Sequence, residues 1–98
     1  MIRAAEEDDL PRIAAIWQSG FAERAEAHVL RTLLQSEDHK TLVYDEHGEA
    51  IGFIVLYLAK DPRKFNVEYV CRDPLSRTKG VGQALMSLED GAGLGKVQ

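Results

Sequence analysis

The chain has one cysteine, no long apolar run and no cluster of basic residues, and each shortage excludes something. Cys71 has no partner for an internal disulfide and suits a reducing compartment. The longest apolar stretch, Ile51 to Ala59, is the size of a strand and well short of the roughly 20 residues that span a bilayer. Glu6, Glu7, Asp8 and Asp9 stand where a secretory signal needs apolar residues, so the expectation is a cytoplasmic protein without a targeting segment. A net charge of −4 argues against a general nucleic-acid surface, which needs clustered Lys and Arg to meet phosphates. His28 and His39 have no Cys, His or carboxylate at a ligand spacing, so no metal site is expected.

What is present suits one small folded domain over residues 1–98. With 45% hydrophobic and 29% charged residues the composition is that of a globular protein, and no repeat, low-complexity tract or linker divides it. A chain of this size buries about 60–70% of its unfolded surface, so the core is real but small.

Ile2-Arg3-Ala4-Ala5 reads as a brief first strand, and the acidic cluster then opens a helix whose dipole it complements. Leu10, Ile13, Ala14 and Trp17 form the helix's apolar face, with its end near Ser19-Gly20 and Trp17 in the core. A second helix is expected from about Ala22 to Ser36, with Val29, Leu30, Leu33 and Leu34 inward. Thr41 to Tyr44, a turn at Asp45-Glu46-His47-Gly48, and Glu49 to Ala59 read as a hairpin. The second arm is apolar at successive positions, so both of its faces need cover, and Gly52 suits a bulge or a close backbone approach.

Lys60 to Lys64 is a polar connection to a strand at Asn66 to Arg72, ended by Asp73-Pro74. Ideal alternation puts Val67, Tyr69 and Cys71 on one face and Glu68, Val70 and Arg72 on the other. Val81, Ala84, Leu85 and Leu88 make a third helix, with its end weakened by Gly91 and Gly93 and capped by Gly95. Between that strand and that helix lies Arg77-Thr78-Lys79-Gly80-Val81-Gly82. Two glycines let main chain approach a ligand, the first helical amides lack internal partners, and Arg77 and Lys79 add positive charge. An anion is the natural occupant, and simple solvent exposure is the alternative for both basic side chains.

The order strand, helix, helix, hairpin, strand, R-x-x-G-x-G, helix resembles the GNAT superfamily of N-acetyltransferases. Asp73-Pro74 with Arg77 to Gly82 carries most of the likeness. Ile2-Arg3-Ala4-Ala5 with Asp9-Leu10-Pro11, and Gly48 to Phe53, also match frequent family patterns. The resemblance implies an α+β fold with a mostly antiparallel sheet of about four strands and three helices. It implies acetyl-CoA as donor and an amine as acceptor, with direct attack on the thioester, and no metal. Donor-binding residues would be Val70, Cys71 and Arg72 at the end of the strand, then Arg77, Thr78, Lys79, Gly80, Val81 and Gly82.

Glu68 matches the position where relatives often carry a basic glutamate, an exposed strand carboxylate being its other reading. Cys71 is expected to pack as a small apolar side chain and not to act as a nucleophile. Family members usually continue with a fifth strand, another helix and a hairpin, and the fifth strand is expected to be missing from this chain, which reaches Lys96-Val97-Gln98 where it would begin. One wall of the family's split between the fourth and fifth strands would then be absent, together with its general-acid tyrosine, a role that Tyr44, Tyr57 and Tyr69 do not fit. The fourth strand's open edge would call for a homodimer or an exchanged element. A CoA-binding or interaction module without catalysis is the other reading.

Overall fold

A computed structural model describes residues 1–58, 65–87 and 93–97, with backbone only at 65 and 93–97. Strand β1 (Ile2–Ala4) leads through a 3-10 turn (Glu7–Asp9) into helix α1 (Leu10–Phe21), followed by α2 (Ala27–Gln35). Strands β2 (His39–Glu46), β3 (Glu49–Leu58) and β4 (Phe65–Arg72) come next, then α3 (Val81–Met86) and β5 (Gly93–Val97). The sheet runs in sequence order, β1 to β4 antiparallel and β5 parallel to β4. The expected α+β architecture is therefore present, with one strand more than the sequence suggested. The polar connection at 60–64, Ala59, Leu88 and Gly91 lie outside the described residues.

The two helical layers follow from the pattern of β3. Residues Ala50 to Leu56 are all buried, because helices cover both faces of the strand. On one side Leu10, Ile13, Ile16, Trp17, Phe21 and Leu30 of α1 and α2 meet Val43, Phe53, Val55 and Cys71. On the other Val81 and Leu85 of α3 meet Ile51, Ile54, Leu56, Val67 and Val70. Each fully buried side chain of this size adds about 1.5–3 kcal/mol. Trp17 is core, as expected: its ring stacks on Phe53 at 5.8 Å and sits 4.5 Å from the ring of Tyr69.

α1 runs one residue past Gly20, to Phe21, and Ala22 then takes a left-handed conformation at φ 54° that breaks the chain direction. The second helix accordingly starts at Ala27 and not near Ala22. In the hairpin, His47 and Gly48 both have positive φ, the requirement of a two-residue type I′ turn, and the Gly48 N–H donates to Asp45 Oδ1 at 2.7 Å.

Three expectations are overturned. First, β4 carries a bulge: Val55 pairs with Tyr69 and Leu56 with Val67, leaving Glu68 as the extra residue. The extra residue reverses the alternation, so Val67 packs beside Val70 on the α3 side, whereas Tyr69 and Cys71 face α1. Second, Gly93 and Gly95 belong to β5 and neither weaken nor cap α3. Third, the fifth strand is present, and the edge of β4 is paired from Asn66↔Gly93 to Val70↔Val97. The open edge from which a dimer was expected is covered over that stretch by the chain itself. Among the described residues no helix is long and apolar enough to cross a membrane.

Candidate active site

The candidate site lies where β4 ends and α3 begins, and Arg12 of α1 is bonded to it. The Asp73 N–H donates to Ile51 O at 2.8 Å, keeping the loop against β3 as it leaves the sheet. The Asp73 carboxylate is buried; its Oδ1 accepts the Leu75 N–H at 2.9 Å and its Oδ2 accepts the Arg12 guanidinium. Arg12 also donates through Nε to Ala50 O at 3.0 Å and lies 3.2 Å from Glu49 Oε1. A helix residue thus ties the loop to β3 across 61 positions of sequence. Ser76 continues the turn, with its N–H donating to Asp73 O at 3.0 Å and its Oγ accepting the Thr78 N–H at 3.2 Å.

Gly80 caps α3 at φ 79°, a left-handed conformation that side chains rarely adopt. The first intrahelical bond is Ala84 N–H to Gly80 O at 2.8 Å, so the amides of Val81, Gly82 and Gln83 precede the hydrogen-bonded ladder. At Gly82 a Cβ would meet no heavy atom of the described residues within 4 Å, which leaves the outer side of this turn open among them. Val81 does the reverse: fully buried, it anchors the turn, and its Cγ1 lies 2.5 Å from where a Cβ on Gly52 would stand. Gly52 therefore serves close approach of α3, and it adjoins an irregularity in the β2–β3 register, where Ile51 is skipped. Arg77 and Lys79 are exposed. Thr78 Oγ1 donates to Glu46 Oε2 from the β2–β3 hairpin.

Glu68 stands at the bulge of β4, partly exposed, with Oε2 3.6 Å from His39 Nε2 at the start of β2. His39 Nδ1 lies 2.9 Å from Ser36 Oγ, and its ring centroid is 5.4 Å from that of Tyr57, its cross-strand partner.

The donor-binding positions expected from sequence divide in two. Arg77, Thr78, Lys79, Gly80 and Gly82 lie together on the loop's accessible side, whereas the side chains of Val70, Cys71 and Val81 are buried and have only backbone to offer. Arg72 is exposed at the strand's end. Burial, and secondarily the charge of Asp73, pushes the Cys71 thiol up to about 11, with Arg72 opposing in part. Cys71 accordingly packs as a small apolar side chain, as expected, and its thiol stays protonated near neutrality. Arg12, His39 and Glu46 were not foreseen as parts of the site. Their partners lie 61, 29 and 32 residues away in the chain, and no local spacing signals such contacts. Among the described residues no group of three or more His, Cys, Asp or Glu could hold a metal ion.

The model of the acetyltransferase (GNAT) family matches residues 6–90. No curated protein matches the chain by sequence. Among solved structures it is similar to the ribosomal-protein-S18-alanine N-acetyltransferase of Escherichia coli, with 22% identity and a TM-score of 0.76, covering 90% of this chain and 55% of that one. A ribosomal-protein-alanine N-acetyltransferase from Brucella melitensis biovar Abortus 2308 shares 20% identity at a TM-score of 0.77, over 98% of this chain and 79% of that one. An aminoglycoside acetyltransferase from an uncultured soil metagenomic sample, solved with sisomicin, shares 19% identity at 0.66, over 100% and 76%. The chain thus spans about half the length of the first of these, and at such identities the likeness is one of fold. With the family model matched over most of its length and the corresponding fold, this chain belongs to the GNAT acetyltransferase family.

Proposed function

We propose that the chain is an N-acetyltransferase that moves an acetyl group from acetyl-CoA to the amine of an acceptor. The observation that carries this reading is the turn between β4 and α3, left-handed at Gly80 and open at Gly82. A diphosphate suits that turn: amides of the first helical turn lack internal partners and lie at the positive end of the helix dipole, and among the described residues no atom lies within 4 Å of a Cβ placed at Gly82. Arg77 and Lys79 supply charge at the rim, and Arg72 stands at the preceding strand end. Glu46 already occupies the Thr78 hydroxyl, so the backbone amides are the better contact for an anion.

Direct transfer needs no enzyme nucleophile, which agrees with a buried, protonated Cys71. Amines are mostly protonated near neutrality, so the acceptor must lose a proton before or during attack. Glu68 takes that proton. The neutral amine nitrogen bonds to the acetyl carbon and sheds its second proton to solvent as the C–S bond breaks, and the thiolate of CoA that leaves takes up a proton from solvent. The unpaired cysteine suits a cytoplasmic setting.

A second reading, binding of CoA without turnover, is favoured by the tyrosines. Tyr69 packs against Trp17 and Phe21, Tyr57 against His39, and Tyr44 against the α3-side core, so each belongs to another part of the structure. Calorimetry with acetyl-CoA and CoA tests both readings. Micromolar binding that Gly82→Trp abolishes supports the cradle, and no binding to the wild type overturns both. Thiol release in a screen of amines then separates them: turnover that falls by about a hundredfold or more in Glu68→Gln supports catalysis, and binding with no turnover supports the second reading.

A further inference from the structure

We infer that His39 is a positioning residue for Glu68, presenting its Nε2–H to one carboxylate oxygen and leaving the other to take the acceptor's proton. The inference rests on the proposed role of Glu68; the contact itself does not.

Three elements set the direction of the imidazole. Ser36, at the carboxyl end of α2, has its Oγ fixed by the Asp38 N–H at 3.1 Å. The Ser36 hydroxyl, 2.9 Å from His39 Nδ1, still has a hydrogen to give and a second lone pair to accept with, so the tautomer decides the direction of that bond. The Glu68 end sets the tautomer: Nε2 faces Glu68 Oε2 at 3.6 Å, and a ring lone pair aimed at a carboxylate would be repelled. Nε2 therefore carries the proton, and in the neutral ring Nδ1 accepts the Ser36 hydroxyl. Tyr57 flanks the ring from β3. Only 18% of the His39 side chain is exposed, against 36% for Glu68, so the imidazole is the better packed of the two and is placed to orient the carboxylate.

The separation of 3.6 Å is a close polar contact and not yet a hydrogen bond. Contacts of this kind commonly tighten when substrate arrives. Because Nε2 already carries a proton, His39 does not accept the one that Glu68 removes. It orients Oε2, and Oε1 remains the basic atom. A bulge suits this purpose: the extra residue in β4 brings Glu68 to the face of the sheet where β2 carries His39.

Two experiments test this. In the first, kinetics are compared for His39→Phe, which removes the donor, and His39→Gln, whose amide N–H reaches about as far as Nε2–H. The expected result is a roughly tenfold or greater loss of kcat in His39→Phe with KM for acetyl-CoA within about twofold, and recovery to within about threefold of wild type in His39→Gln. His39→Phe should add nothing further in a Glu68→Gln background. Equal losses in Phe and Gln variants, or additive losses with Glu68→Gln, overturn the inference. In the second, ¹⁵N NMR of the imidazole in the free protein should show the Nε2–H tautomer dominant, with the ratio of the two neutral tautomers falling at least threefold in Ser36→Ala. A dominant Nδ1–H tautomer overturns the geometry. If no amine is acetylated, the catalytic reading fails, and the tautomer ratio still decides whether His39 holds Glu68.

Discussion

Gly52→Ala tests whether the contact between β3 and α3 is as close as the structure shows. The new methyl would stand 2.5 Å from Val81 Cγ1, 3.2 Å from Cys71 O and 3.3 Å from Leu85 Cδ1. Carbon atoms prefer about 3.5–4.0 Å, so Val81 must retreat by about 1 Å. The carbonyl cannot yield easily, since Cys71 and its neighbour Arg72 are paired to β3 at Phe53 and Gly52. Val81 is fully buried in the cluster that holds Ile51, Ile54 and Leu85, so its retreat disturbs packed neighbours. Overpacking of this kind costs about 1–3 kcal/mol. Replacing glycine by alanine in a strand returns about 0.5–1 kcal/mol through backbone entropy. The net loss is about 1–2 kcal/mol, or about 4–16 °C in Tm for a domain of this size. Differential scanning calorimetry, with urea titration at 25 °C, measures it. Adding Val81→Ala should remove most of the penalty, so that the double variant is close in stability to Val81→Ala alone. A Tm for Gly52→Ala equal to or above that of the wild type, or strictly additive effects of the two substitutions, would refute the reasoning.

Asp73→Ala should lower stability by about 2–3 kcal/mol in urea melts, because it strands the partly buried Arg12 and removes the acceptor of the Leu75 N–H; Arg12→Met with Asp73→Ala should cost less than the sum. Cys71 should react with iodoacetamide at pH 8 at least tenfold more slowly in the folded protein than in urea, as its thiol is both buried and raised to about 11. Arg3 bonds to Asp9 and to Asp45 and lowers both carboxyls below their usual range. Their stabilisation is therefore complete above the unfolded carboxylate value near 4 and is lost as pH falls through the lower folded values. Arg3→Met should flatten the acid side of a stability-against-pH curve below about pH 4, with little change in its slope near neutrality.

The hairpin and the first helix were legible because their signals are local, whereas the second helix starts only at Ala27 and leaves Val29, expected inward, exposed. The period of Leu10, Ile13 and Trp17, the turn at His47-Gly48 and the glycines of the loop each act within a few residues. The fifth strand was not legible: Gly93-Leu94-Gly95 carries the composition of a helix end, and pairing with β4 supplies what its propensity lacks. The face of Val67 was misplaced because a bulge leaves no mark in a run of apolar residues, and one extra residue exchanges inside for outside. At the site, the glycine loop was readable as a turn between strand and helix, with Gly80 left-handed at its helix end. The contacts of Arg12 with Asp73 and of His39 with Glu68 join elements far apart in sequence, and only the sheet order brings them together.

The sheet order also bears on how the chain folds. β2, β3 and β4 join sequential neighbours, whereas β1 waits for a partner more than a helical hairpin away, with Ile2 opposite Tyr44. Closing that long segment costs entropy before its three residue pairs repay it. The β2–β3 hairpin is thus the natural early structure, and β1 docks late and opens first. Amide hydrogen exchange would order the strands accordingly, with Phe53 to Val55 the slowest and Ile2 to Ala4 the fastest, which makes the amino-terminal strand the fuse of the domain rather than its foundation.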